Sequence, residues 1–169
     1  MPKGKPTRKT IEDAQIVFRN FAGREGKYNR EGDRNFAVFI DDPKQVKEFE
    51  DEGWNVRYLP ARDEGEEDRA YLSVSVAYGK GQPPRIVMIT PRDSGDVRTD
   101  LNEDTVESLH WVEYKKVDMV LNPYQWSVSG KTGVKAYLKT LFITLDLDDL
   151  EAKYADVPEA GEEDLSDEF

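Results

Sequence analysis

Three features of this 169-residue chain predict a mainly β fold carrying two or three short helices. Apolar residues recur at a two-residue period in several segments, of which residues 71–78 are the clearest, with Leu72, Val74 and Val76 on one face. Glycine- and proline-bearing stretches of the kind that reverse a chain separate these segments. Only three stretches show helix signatures, and all are short. With 37% hydrophobic residues, the chain has material for one domain with a core and too little for two.

Residues 1–12 read as a flexible basic arm, since Pro2, Gly4 and Pro6 interrupt any regular element and nothing apolar precedes Ile11. The domain is expected over residues 13–157. Residues 14–21 form its first strand, with Ile16 and Phe18 inward and Arg19 near the end. A glycine-bearing loop follows, with Arg24, Lys27, Arg30 and Arg34 around Tyr28, and residues 35–40 make a nearly continuous apolar, central strand. A helix then starts at Pro43, with Asp42 as cap, Gln45 completing a capping box and Gly53 as the stop. Its Val46 and Phe49 face the sheet, and acids 48, 50, 51 and 52 point outward.

Residues 54–59 read as a strand, 61–69 as an acidic loop, and 71–78 and 85–91 as two more strands. A long loop with Arg92 and Arg98 leads to a second helix near residues 103–110, capped by Asn102 or Asp100, with Val106 and Leu109 inside and His110 at its C-terminal end. Residues 146–157 form a third helix with Leu147, Leu150 and Tyr154 inward. Residues 158–169, rich in acid and without a period, read as a disordered acidic tail.

The organising element is residues 112–145. Val117, Met119 and Leu121 alternate with polar neighbours, as do Val134, Ala136, Leu138 and Phe142, and the SGKTG stretch at 129–133 supplies glycines for a hairpin turn. One face is apolar. The other places Tyr124, Trp126, Lys131, Lys135, Tyr137 and Lys139 on one surface. Flat rings between flexible cations suit single-stranded nucleic acid, because every base has a face to stack and every linkage a phosphate to neutralise. Arg19, Lys27, Tyr28, Arg30, Arg34 and Lys115 are further candidate contacts.

Net charge is −11, which alone disfavours a polyanionic partner. Residues 1–10 carry four bases and no acid, residues 155–169 seven acids and no base, and the body between them remains at −8. Binding to nucleic acid therefore requires the body's bases to gather on one face. With no cysteine and one histidine, disulfides, thiolate sites and two-histidine metal sites are excluded. No cofactor, metal site or catalytic residue is expected. The GKT at residues 130–132 lacks the glycine of a phosphate loop, with Gln125 in its place, and its flanks read as strands rather than strand and helix. Five carboxylates in residues 61–69 lack calcium-loop spacing. No apolar run approaches the roughly 18 residues of a membrane span and the N-terminus has no secretory segment, so a soluble, intracellular protein without a membrane partner is expected.

The order IVFRNF, KYNREGDRNFAVFIDDPKQV leading into a helix, GWNVRY, a serine-valine strand and an acidic tail ending in Phe169 resembles the phage-encoded single-stranded DNA-binding proteins of the OB-fold class. The resemblance covers roughly residues 11–157 and the tail. It implies an OB-like barrel with extra hairpin strands, non-catalytic and sequence-independent binding of single-stranded DNA in phage replication or recombination, and action in the cytoplasm of a bacterial host. It also implies that the tail, through Asp164, Asp167, Glu168 and Phe169, recruits replication proteins. The residues themselves leave open an acidic protein-interaction domain, either a DNA mimic or a virion accessory domain, and RNA in place of DNA.

Overall fold

The computed structural model describes residues 5–27, 29–79 and 81–147. Among these, the elements are β1 (Lys9–Ile11), β2 (Ile16–Asn20), β3 (Arg34–Phe39), α1 (Pro43–Asp51), β4 (Val56–Leu59), β5 (Arg69–Val76), β6 (Arg85–Thr90), β7 (Val97–Leu101), a 3₁₀ turn at Val106–His110, β8 (Tyr114–Val128) and β9 (Lys131–Leu145). Most of the third expected helix, the acidic tail and Tyr28 lie outside the described residues. No helix among the described residues is long and apolar enough to cross a membrane.

The β8–β9 hairpin is the spine. It pairs antiparallel from Tyr114↔Leu145 to Val128↔Lys131. Ser129 and Gly130 make the reversal at φ 51° and 79°, the left-handed pair that matches the twist of the flanking strands. The other edge of β9 is shared by two parallel partners, β5 at Ala136 and Tyr137 and β6 from Thr140 to Thr144. The sheet runs β1-β8-β9-β5-β3-β2, with β4 on β5 and β7 on β6. Its ends curl toward each other: Ala14 N–H donates to Val117 O at 2.8 Å, and the Tyr114 hydroxyl accepts from Ile16 N–H at 2.9 Å. This open, mixed, mainly β sheet is compatible with an OB-like fold. Phe21, Phe36, Leu72, Met119, Leu121, Leu141 and Ile143 fill its interior, and α1 caps it through the fully buried Phe49.

Several expectations need correction. Residues 9–11 are not part of a free arm but pair with β8, because Lys9 is buried and bonded to Glu48 and Glu52 of α1 and its C-cap. Of the two acids only Glu52 turns inward; Glu48, one turn before it, stays exposed and holds the same ammonium from the solvent side. Gln45 closes no capping box and instead donates to Thr10 O at 3.2 Å, while Asp42 does cap α1 by accepting from Lys44 N–H. Phe18 is not in the core. The β2–β3 register shifts between Val17 and Asn20, Phe18 takes φ 52° and turns outward, and Phe21 fills the interior against Phe36.

In β9 an extra residue, Lys139, bulges between Leu138↔Leu121 and Thr140↔Val120, which inverts the strand's phase. Leu141 and Ile143 are then buried, and Phe142 sits on the opposite face from Val134, with the Arg85 and Arg98 guanidinium carbons 5.7 and 5.9 Å from its ring centre. The stretch around Arg98 is a strand, β7, rather than a loop. The second helix shrinks to one 3₁₀ turn that starts after Thr105, with Val106 and Leu109 buried as expected.

Candidate nucleic-acid interface

Beyond the body of the sheet, β8 and β9 continue as a two-stranded arm whose outer face carries the rings. Tyr124 pairs with Lys135, Trp126 with Gly133 and Asn122 with Tyr137, and directly paired residues share a face. Tyr124 and Trp126 are 56% and 36% exposed, too open for core residues. The Tyr124 and Tyr137 rings meet edge to face with centroids 5.9 Å apart, and the Lys135 ammonium lies 5.2 Å from the Tyr137 ring centre. Gly133 is not used in the turn. A Cβ there would come within 2.6 to 2.9 Å of three indole atoms of Trp126, so the missing side chain lets the ring lie across the β9 backbone.

These residues line a groove of about 970 Å³ together with Lys139, Arg8, Arg85, Gln82, Asn122 and Pro123. Among the described residues four cations line it, Arg8, Arg85, Lys135 and Lys139, and no carboxylate does, although Asp100 stands 3.9 Å from Arg85 outside the lining. A protein of charge −11 thus presents a locally positive trough, the clustering that binding a polyanion requires. The groove opens at Lys135 and Tyr137 into a second hollow lined by Arg30, Arg34, Asn35, Ser75 and Tyr78, where Asp33 and Glu103 offset part of the charge. A third, lined by Arg57, Asn35, Asn55, Ser73 and Ser75, adjoins it at Trp126 and Lys135. Carboxylates gather elsewhere: Asp41, Glu50, Asp51, Glu67 and Asp68 surround a hollow beside α1.

Of the expected contacts, the structure brings Tyr124, Trp126, Lys135, Tyr137 and Lys139 together in the main groove and places Arg30 and Arg34 in its extension. Arg34 also donates to Phe21 O at 3.1 Å and lies 5.6 Å from the Tyr78 ring centre. Arg19 is turned to structural work, donating to the carbonyls of Leu109 and Val112 at 3.1 and 2.7 Å over the Tyr114 ring. Lys131 stands exposed at the hairpin tip and Lys115 exposed near the far end of β8; neither lines the groove, nor does Lys27. The tail residues Asp164, Asp167, Glu168 and Phe169 lie outside the described residues.

Arg8 and Arg85 escaped the sequence reading. Arg8 reaches the groove because β1 docks on β8, and its Nε donates to Asn122 Oδ1 at 2.9 Å. Burial by itself would lower the Lys9 pKa, but the hydrogen bonds and charges of Glu48 and Glu52 prevail and raise it, so the clamp behind Arg8 is a charged pair at neutral pH. The signal was thin: three residues, Lys9 to Ile11, with two facing inward.

No curated protein matches this chain. Among solved structures, the fold is similar to the single-stranded DNA-binding protein from bacteriophage Enc34 in complex with single-stranded DNA, at 10% identity and TM-score 0.55 over 83% of this chain and 88% of that one. The same phage protein without DNA gives 10% identity and TM-score 0.53 over 88% of each chain, and its C-terminal truncation 12% and 0.53 over 83% and 87%. A family model described as "Putative phage ssDNA-binding domain" matches residues 3–169, and the chain therefore belongs to the family of phage single-stranded DNA-binding domains.

Proposed function

We propose that this protein binds single-stranded DNA without sequence preference during phage DNA replication or recombination, in the cytoplasm of the bacterial host, along the groove on the outer face of β8 and β9. The observation that carries this reading is a trough with no carboxylate in its lining among the described residues, in which exposed Tyr124 and Trp126 stand beside Tyr137 among four cations. Tyr124, Trp126 and Tyr137 stack bases. Arg8, Arg85, Lys135 and Lys139 pair with phosphates, and Arg30 and Arg34 continue the track. Stacking on two or three rings, each worth about 1–3 kcal/mol, supports micromolar binding against an unfavourable net charge. Residues 158–169 serve as a polyanionic segment that recruits replication proteins and competes for the groove.

A tryptophan-fluorescence titration with oligo-dT at two salt concentrations tests the reading. Quenching that weakens with salt is expected, and Trp126→Ala and Tyr124→Ala should each weaken binding about fivefold or more while preserving the circular dichroism spectrum. An acidic DNA mimic would give neither quenching nor salt dependence. Loss of folding in both variants would return the rings to a structural role.

A further inference from the structure

We infer that the DNA path does not end at Trp126 but continues over Arg57 to a second stacking site made by Phe18 and Tyr71. This rests on the proposed groove and adds residues that neither the chain pattern nor the family match assigns.

The registers place these groups on one face. Ser75 pairs with Tyr137, and along β5 the outward residues are then Ser73 and Tyr71, while Leu72, Val74 and Val76 are buried. Tyr71 pairs with Arg57 across the β4–β5 ladder, and paired residues share a face. Arg57 is exposed and lines the same hollow as Trp126 and Lys135, so one cation touches both regions. The lining between holds no carboxylate among the described residues: Ser73, Ser75 and Asn35 stand there beside Leu72, Val134 and Ala136. From Ser75 to Tyr71 the strand rises about 13 Å, room for further nucleotides of an extended strand.

Phe18 then stands out on physical grounds. It is 62% exposed, holds φ 52°, and meets Tyr71 edge to face with centroids 6.0 Å apart. A bulky side chain in left-handed backbone is costly, and here the cost turns a large ring away from the core and into water. The nearby carboxylate of Asp41 is taken up by Arg69, whose guanidinium donates to it twice. An open ring pair with an exposed arginine leading to it, one that holds no ion pair among the described residues, suits a base and its phosphate.

The test compares full-length protein with oligo-dT of roughly four and roughly twelve nucleotides, within the span of one such domain. Phe18→Ala should leave the short oligomer's affinity unchanged, Phe18→Ala and Arg57→Ala should each weaken the long one about fivefold or more, and Phe18→Tyr should restore it. Wild-type protein photocrosslinked to long bromodeoxyuridine-substituted DNA should yield adducts at Phe18 or Tyr71, a readout independent of variant folding. If Trp126→Ala weakens both lengths while Phe18→Ala and Arg57→Ala change neither and no such adduct forms, the path ends at Trp126 and this inference is wrong. If Trp126→Ala changes nothing at either length, it is the groove reading itself that fails.

Discussion

Replacing Gly133 with alanine tests the groove without touching any residue proposed to meet DNA. The added Cβ would sit 2.6 Å from Cζ2, 2.7 Å from Cε2 and 2.9 Å from Nε1 of Trp126, closer than carbon atoms tolerate. Gly133 does not need left-handed backbone, so the strand itself accepts alanine and gains up to about 1 kcal/mol in intrinsic preference. The indole, already 36% exposed, has solvent to swing into, so the ring rather than the strand moves. Stability should change by less than about 1 kcal/mol. Binding should suffer nearly as much as in Trp126→Ala, about 5-fold to 150-fold, because a displaced ring forfeits the same 1–3 kcal/mol of stacking. Urea unfolding gives the first quantity, and anisotropy of a labelled oligo-dT gives the second. A Gly133→Ala variant that keeps wild-type affinity while its tryptophan emission shifts would refute the argument, since a moved ring would then have cost nothing.

Lys135→Ala and Lys139→Ala should weaken binding almost uniformly across sequences and reduce the salt slope by about 0.7 for each lost phosphate contact; an unchanged slope removes the residue from the track. Lys9→Met should destabilise by on the order of 3 kcal/mol, because it leaves the buried Glu52 carboxylate with Thr7 alone, while exposed Glu48 loses little. Burial tends to raise the Glu52 pKa, but Lys9 and Thr7 hold it below the usual range, so the clamp's contribution is full above about pH 4.3 and fades as pH falls through the depressed value. The deficit of Lys9→Met should accordingly shrink in acid, where a protonated Glu52 needs no cation, and a deficit constant with pH in denaturation curves would contradict this. Ending the chain after Val157 removes six carboxylates and moves net charge from −11 to −5, so oligo-dT should bind more tightly, most at low salt. Equal affinity at low and high salt would leave residues 158–169 with no part in competition.

The sequence by itself determined the mainly β class, most strand positions, the α1 cap and stop at Asp42 and Gly53, and the pairing of rings and bases on one hairpin face. These follow from local rules: a side-chain period of two in a strand, and backbone groups at a helix end that only nearby residues satisfy. Tertiary structure decided what local rules cannot see. A single bulged residue at Lys139 reversed the phase of β9 and sent Phe142 outward, and a register shift at Phe18 exchanged it for Phe21 in the core. Both depend on how a neighbouring strand pairs, and one residue of slip moves a side chain to the opposite face. Arg8 belongs to the groove only because Lys9 finds Glu48 and Glu52, some 40 positions away, and holds β1 against β8. The sign of the groove was equally non-local. Composition sums charge over the whole chain, whereas the docking of β1 and β6 beside the hairpin sets four cations around one trough and leaves carboxylates beside α1.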